Sequence, residues 1–242
     1  YFDSTGGFDA AGFAAALGDT SRSLLGTEQH DWLAGQLAAS TATWQVLGQQ
    51  VLMARMDIPA PVALQAIGFS DYAALLAKAQ VAPETLTAEE AAILAQPAIP
   101  YNLDAWDGYP VDRERVLGAA RSLNRNLVVL AGDTHNAWAS ELRDANGDAV
   151  AVEFATASVS SPGLEEVLPG EDPAALAAGL VQLIEPLKYA ETSLRGFLEL
   201  TVSPNECRGT WHFIDTVKTR DYALVTGSAL KTTAGAARLE PV

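Results

Sequence analysis

Apolar positions in the first forty residues recur at helical spacing. Residues 8–17 are Ala-rich with that spacing. Residues 27–39 place Trp32, Leu33 and Leu37 on one face, behind Thr27 as a good N-cap and with Glu28, Gln29 and Asp31 in the first turn. The pattern predicts two helices, the second amphipathic. Residues 44–47 then read as a strand, interrupted at Gly48-Gln49-Gln50 before 51–54 resume extended or turning structure. Between 57 and 100, prolines at 59, 61, 83, 97 and 100 punctuate two Ala-rich helical stretches, 70–79 and 87–96, each starting at a capping residue. This segment reads as a helical insertion or lid beside the main sheet, or as a plain surface excursion.

Residues 112–123 predict a helix with Val116, Leu117 and Ala120 inward. It leads into Val128-Val-Leu130, an apolar, β-branched run with the composition of a strand buried on both faces. Residues 136–142 read as a short helix or turn, Asn146-Gly147 as a tight turn and 150–154 as a strand. Residues 156–163 form a small-residue loop suited to line a pocket, and 171–183 read as a helix. From Arg195 the texture turns to β. Residues 196–202 and 210–217 alternate around a Pro204-Asn205 turn, with 223–230 as a candidate further strand. Helices alternating with buried strands predict a layered α/β domain over 1–242, with a terminal β segment at 195–232.

Composition narrows the function classes. Hydrophobic residues are 49% and charged residues 19%, enough apolar content for a sizeable core. The net charge of −15 argues against a nucleic-acid-binding surface, which needs basic stripes. An anionic substrate would likewise be repelled unless bound cations reverse the local field. The single cysteine, Cys207, excludes an intrachain disulfide. No apolar run reaches the length of a transmembrane segment, and no signal peptide is present. The chain opens at Tyr1 in a loop-like stretch, which reads as a processed or truncated product.

The densest chemistry follows the Val128 strand. Asp133 and His135 stand two apart just past its end, with Gly132 read as the residue that lets the backbone turn. In open α/β sheets ligands bind at that carboxyl end, and a carboxylate beside an imidazole there can grip one metal ion or two. Spacing alone equally describes an Asp capping the next helix beside a hydrogen-bonded His. Asn136 can contact a phosphate oxygen or support the metal ligands, and Trp138 can wall a pocket or simply fill the core. Upstream, residues 101–110 pack Asp104, Trp106 and Asp107 with two tyrosines into one loop, and Arg113 and Arg115 follow as solvated helix charges or phosphate contacts. His30 reads as a solvent-facing helix residue and His212 as a strand-face residue.

Several runs, in order, resemble the PhoD-like family of alkaline phosphatases and phosphodiesterases. They are Arg22-Ser-Leu-Leu-Gly-Thr-Glu-Gln29 with Trp32-Leu33, Ala42-Thr-Trp-Gln-Val-Leu-Gly48, Asp104-Ala-Trp-Asp-Gly-Tyr-Pro110, the Val128 to Trp138 run, Val152-Glu-Phe-Ala-Thr156 with Ser158 to Ser161, and Arg195-Gly-Phe. The resemblance implies the C-terminal half of a calcineurin-like metallophosphoesterase α/β/β/α sandwich. It implies metal-dependent hydrolysis of phosphate esters with iron and calcium, other divalent cations being possible. Asp133 and His135 match the family's Gly-Asp-x-His metal motif as first ligands. Asp104 matches a further aspartate expected to bind calcium, with Asp107 a fourth candidate, although one of the two aspartates can instead cap the following helix. Asn136 and Trp138 are the substrate-side candidates. The family's other ligands lie upstream of everything present here, so the missing N-terminal half is the expected partner, either a separate polypeptide or absent. Family members are usually exported, which implies a periplasmic or secreted location. Two other readings stand beside this one: a catalytically inactive α/β fragment or binding module, and a serine hydrolase using Ser158, Ser160 or Ser161, for which no Gly-x-Ser-x-Gly elbow exists.

Overall fold

A computed structural model describes residue 1, residue 4 and residues 7–242. The elements, in order, are α1 (Ala10–Leu17), α2 (Gly26–Ala39), β1 (Trp44–Gly48), β2 (Asp57–Pro59), α3 (Ala60–Ala63), α4 (Phe69–Val81), α5 (Ala88–Leu94) and β3 (Ala98–Pro100). There follow α6 (Pro110–Ser122), β4 (Asn126–Ala131), β5 (Ala137–Arg143), β6 (Ala149–Ala155), α7 (Leu164–Val167), α8 (Pro173–Leu183) and β7 (Leu187–Glu191). The chain closes with β8 (Arg195–Val202), β9 (Glu206–Ile214), β10 (Leu224–Thr233) and β11 (Glu240–Pro241).

The five-stranded sheet runs β1-β4-β6-β5-β7. Strands β1, β4 and β6 are parallel, while β5 lies antiparallel between β6 and β7. Alternate residues of β4 face opposite layers. Leu127 and Val129 pack with Leu33 and Leu37 of α2 and Val116, Leu117 and Ala120 of α6. Val128 faces the other way, onto Cys207, Trp211 and Phe213 of β9. Those residues belong to the antiparallel sheet β11-β10-β9-β8. Helices, a mixed sheet and an antiparallel sheet therefore stack as α/β/β. No helix covers the outer face of the second sheet among the described residues, so this chain forms part of the expected α/β/β/α sandwich. Among the described residues no helix is long and apolar enough to cross a membrane.

Residues 57–100 leave and return through the two-stranded ribbon β2–β3, in which Asp57 pairs with Pro100. Thr87 caps α5 in a capping box with Glu90, and Lys78 of α4 reaches Glu90 at 2.7 Å.

Three local expectations are corrected. The stretch 136–142, read as a short helix or turn, instead enters the strand β5 at Ala137. The residues there are good helix formers and do not alternate. A strand flanked on both sides and buried on both faces needs no alternation, and pairing with β6 and β7 overrides local propensity. Trp32 does not share the buried face with Leu33 and Leu37; it is 61% exposed. Thr27 is not the cap of α2. That end is held by Asp112 of α6, whose carboxylate accepts from Ser23 Oγ and from the Leu24 and Leu25 N–H groups at 2.9 to 3.0 Å. Burial by itself would raise the Asp112 pKa, but these donors outweigh it and hold the carboxyl below its ordinary value.

Candidate metal centre

Because β1, β4 and β6 are parallel, their carboxyl ends lie at one edge of the sheet, the edge where open α/β sheets bind ligands. Three loops meet there: 49–56, 132–136 and 156–163. The central one is pinned at nearly every residue. Gly132 N–H donates to Gln50 O at 3.1 Å, and Thr134 N–H turns back onto Gly132 O at 2.8 Å. Thr134 Oγ1 accepts from the Trp138 indole at 2.7 Å, and its carbonyl accepts from Asn136 Nδ2 at 2.6 Å. Asn136 Oδ1 accepts in turn from Leu164 N–H at 3.0 Å.

The loop turns at Asp133 (φ 67°) and His135 (φ 61°), not at Gly132, which has no positive φ. Left-handed backbone at two non-glycine residues costs roughly 1–2 kcal/mol each, and the surrounding hydrogen bonds hold it. The consequence is that both side chains project outward and are exposed while Thr134 between them points to the Trp138 indole. His135 Nδ1 sits 2.9 Å from Pro162 O. A carbonyl only accepts, so Nδ1 carries the proton and Nε2 of the neutral ring keeps its lone pair outward, the arrangement of metal-binding imidazoles. No side-chain hydrogen bond engages the Asp133 carboxylate among the described residues. The pair thus has the donor chemistry and free atoms to hold a cation.

The other expected site residues take different places. Asn136 is 1% exposed, with both ends of its amide engaged in holding the loop. In this position the amide braces the 132–136 loop against the start of α7. Trp138 is buried in the core with Ala131 and Leu180 and also lines a cleft beside the loop. Asp104 is exposed on the neighbouring 101–105 turn. Asp107 is buried, and its carboxylate accepts from Met56 N–H at 2.7 Å. Burial, with the charge of Asp57, pushes its pKa up to about 7 against the pull of Met56 N–H and Arg113. Neither aspartate caps α6, whose first turn follows Tyr109. No group of three or more His, Cys, Asp and Glu side chains is gathered to hold a metal ion among the described residues.

Neither expectation for Arg113 holds. It is buried, donating to Met53 O at 2.6 Å and Arg143 O at 3.0 Å. His30 is half-buried, not solvent-facing. His212 does sit on the exposed strand face, bonded to Glu199. Ser158 Oγ accepts from the Ser160 and Ser161 N–H groups, and no serine is hydrogen-bonded to a histidine ring among the described residues, so the serine-hydrolase reading lacks its base.

Three residues that the sequence pattern did not single out shape the site. Glu153, fully buried on β6, accepts from Met53 and Ala54 N–H at 2.7 and 3.0 Å and fixes the 49–56 loop. Burial raises its pKa to about 7. One charged residue between Val152 and Phe154 in an otherwise apolar strand was the available signal. Gly163 packs where a Cβ would lie 2.3 Å from Asn136 Oδ1 and 3.0 Å from Thr192 O, so the loop after β6 closes on the Asn136 support only with glycine there. Tyr101 lies close enough to Asp133 for that charge to add to burial in raising its phenol pKa.

The family described as PhoD-like phosphatase matches residues 3–211. Alkaline phosphatase D of Bacillus subtilis (strain 168) is 30% identical over 213 residues, which cover 85% of this chain and 29% of that protein. The solved structure of PhoD superposes with a TM-score of 0.63 at 24% identity, covering 91% of this chain and 35% of that one, a likeness of fold. The chain thus spans about a third of the length of the relatives it matches.

Proposed function

The chain belongs to the PhoD-like phosphatase family, and from that premise we propose that it supplies one half of a metal-dependent phosphoesterase site acting on phosphate monoesters or diesters. The observation that carries this reading is the paired outward presentation of Asp133 and His135 at the carboxyl edge of the sheet, with His135 Nδ1 pinned to Pro162 O. Asp133 and His135 would hold one cation; Asp104, exposed on the 101–105 turn and not gathered with them into a three-donor group, would be a ligand of a second one. Iron and calcium are the cations we assign, with other divalent ions as substitutes. Held by these residues, a cation would supply charge to offset the phosphate and would acidify a water. Thr134, Asn136 and Trp138 keep the two ligands in place, and Asp107 and Glu153 fix the 52–56 segment that borders them.

The remaining ligands would come from an N-terminal half. Among the described residues, strand β1 pairs only with β4, and its other edge is free beside the exposed Val46 and Trp32. An open edge flanked by exposed apolar side chains suits further strands of the same sheet. The second reading, that this chain alone is a folded half without catalysis, is separated from the first by assaying the isolated chain beside the polypeptide that holds both halves. A periplasmic or secreted location follows from the family resemblance.

The test is hydrolysis by the polypeptide that holds both halves. Asp133→Asn and His135→Ala should each lower kcat/KM for a phosphate ester by at least about a hundredfold, the scale of losing a group that stabilises developing charge, while the chain still folds cooperatively. Unchanged hydrolysis in both variants would sink the reading.

A further inference from the structure

The inserted segment forms one wall of a cleft. Ile58 and Val62 line it from the insertion, and Leu164 and Leu180 from α7 and α8, around a volume of about 470 Å³. That size is ordinary for sites that enclose a small organic molecule, as is the mostly aliphatic lining. Two residues join the cleft to the metal loop. Trp138 lines it, and its indole donates to Thr134 Oγ1, directly between Asp133 and His135. Tyr101 also lines it and lies within reach of the Asp133 charge. An apolar chamber therefore begins where the ligand loop ends. It lies over the β5 and β7 end of the sheet, away from the free β1 edge where added strands would pair.

We propose that this cleft receives the apolar part of the substrate's organic group. The preferred substrates are then amphiphilic phosphate esters, with the phosphate at Asp133 and His135 and an alkyl or aryl group between the insertion and α8. This rests on the phosphoesterase reading above and adds its specificity. Each methylene taken out of water should tighten binding about fourfold until the cleft is full.

Calorimetric titration of the 242-residue chain with octyl phosphate, methyl phosphate and 1-octanol, all below aggregation, tests the cleft without hydrolysis. Octyl phosphate and octanol should bind at one equivalent, with methyl phosphate weaker by about fourfold for each methylene the cleft takes up, about a thousandfold when five are buried. Ala63→Trp, which fills the cleft, should abolish octyl binding. Val167→Glu, at an exposed rim position, should weaken it and serves if Ala63→Trp fails to fold. Equal affinity for octyl and methyl phosphate, or octyl binding unaltered in both variants, would overturn the proposal. Octanol binding that vanishes once the N-terminal half is present would also overturn it, by making the cleft a packing surface for that half. In the assembled enzyme, equal kcat/KM for the two esters removes the cleft assignment and leaves the phosphoesterase reading intact. Octanol binding with hydrolysis of neither ester does the reverse.

Discussion

Asp133 and His135 owe their exposure to one buried amide. Asn136 ties Thr134 O to Leu164 N–H, and Thr134 then takes the inward place between the two ligands. Asn136→Ala would leave a buried N–H unpaired, at a cost of about 1–3 kcal/mol. The expected outcome is a lower melting temperature and weaker cation binding, with both ligand side chains still present. Gly163→Ala would press a methyl group against the same amide. It should destabilise by about 1–3 kcal/mol, the usual range for overpacking, measurable by denaturant unfolding. At this scale the sequence was half legible. The Asp-x-His spacing after an apolar run could be read, because two ligands near one strand end need no tertiary information. Local sequence points the turn to Gly132, because glycine is the default left-handed residue and nothing local says that Asp133 and His135 adopt that backbone instead. The place of Asn136 was not legible either, since its partner Leu164 lies 28 positions away.

Among elements, periodicity located most of the helices and strands and failed at β5, whose neighbours β6 and β7 decide its conformation. The short ribbon β2–β3 leaves no mark in the sequence pattern, because three-residue strands carry too few positions to show a period, and β7, five residues long, is set by its pairing with β5. The 49–56 loop has no regular structure of its own and depends on buried carboxylates from elsewhere in the chain. Glu153 makes that dependence titratable. Its folded pKa of about 7 lies above the ordinary 4.5. Between those values the folded state holds a proton that the unfolded state releases, so this contribution is full below about pH 4.5 and is lost as pH rises through about 7. Glu153→Gln removes the titration. The stability difference between wild type and Glu153→Gln, read from melting curves at pH 5 and pH 8, should therefore be larger at pH 5. A difference that grows toward pH 8 would show that the carboxylate is held ionised in the fold.

At the scale of the whole molecule, the layers are asymmetric. Helices cover one face of the five-stranded sheet, the antiparallel sheet covers the other, and no helix covers the far side of that second sheet among the described residues. A net charge of −15 with a loop that presents a carboxylate and an imidazole fits a site that must gain cations before phosphate can approach. Net charge was fully legible in the sequence, and the layered class nearly so. The cleft beside the insertion was not, because its walls come from segments about a hundred residues apart. The most direct test of the account is elemental analysis of the two-half polypeptide, wild type against an Asp133→Asn, His135→Ala double variant, with hydrolysis measured on the same samples. The account predicts that wild type carries bound iron or calcium and that the double variant loses metal and activity together. The same metal stoichiometry and undiminished hydrolysis in the double variant would contradict it.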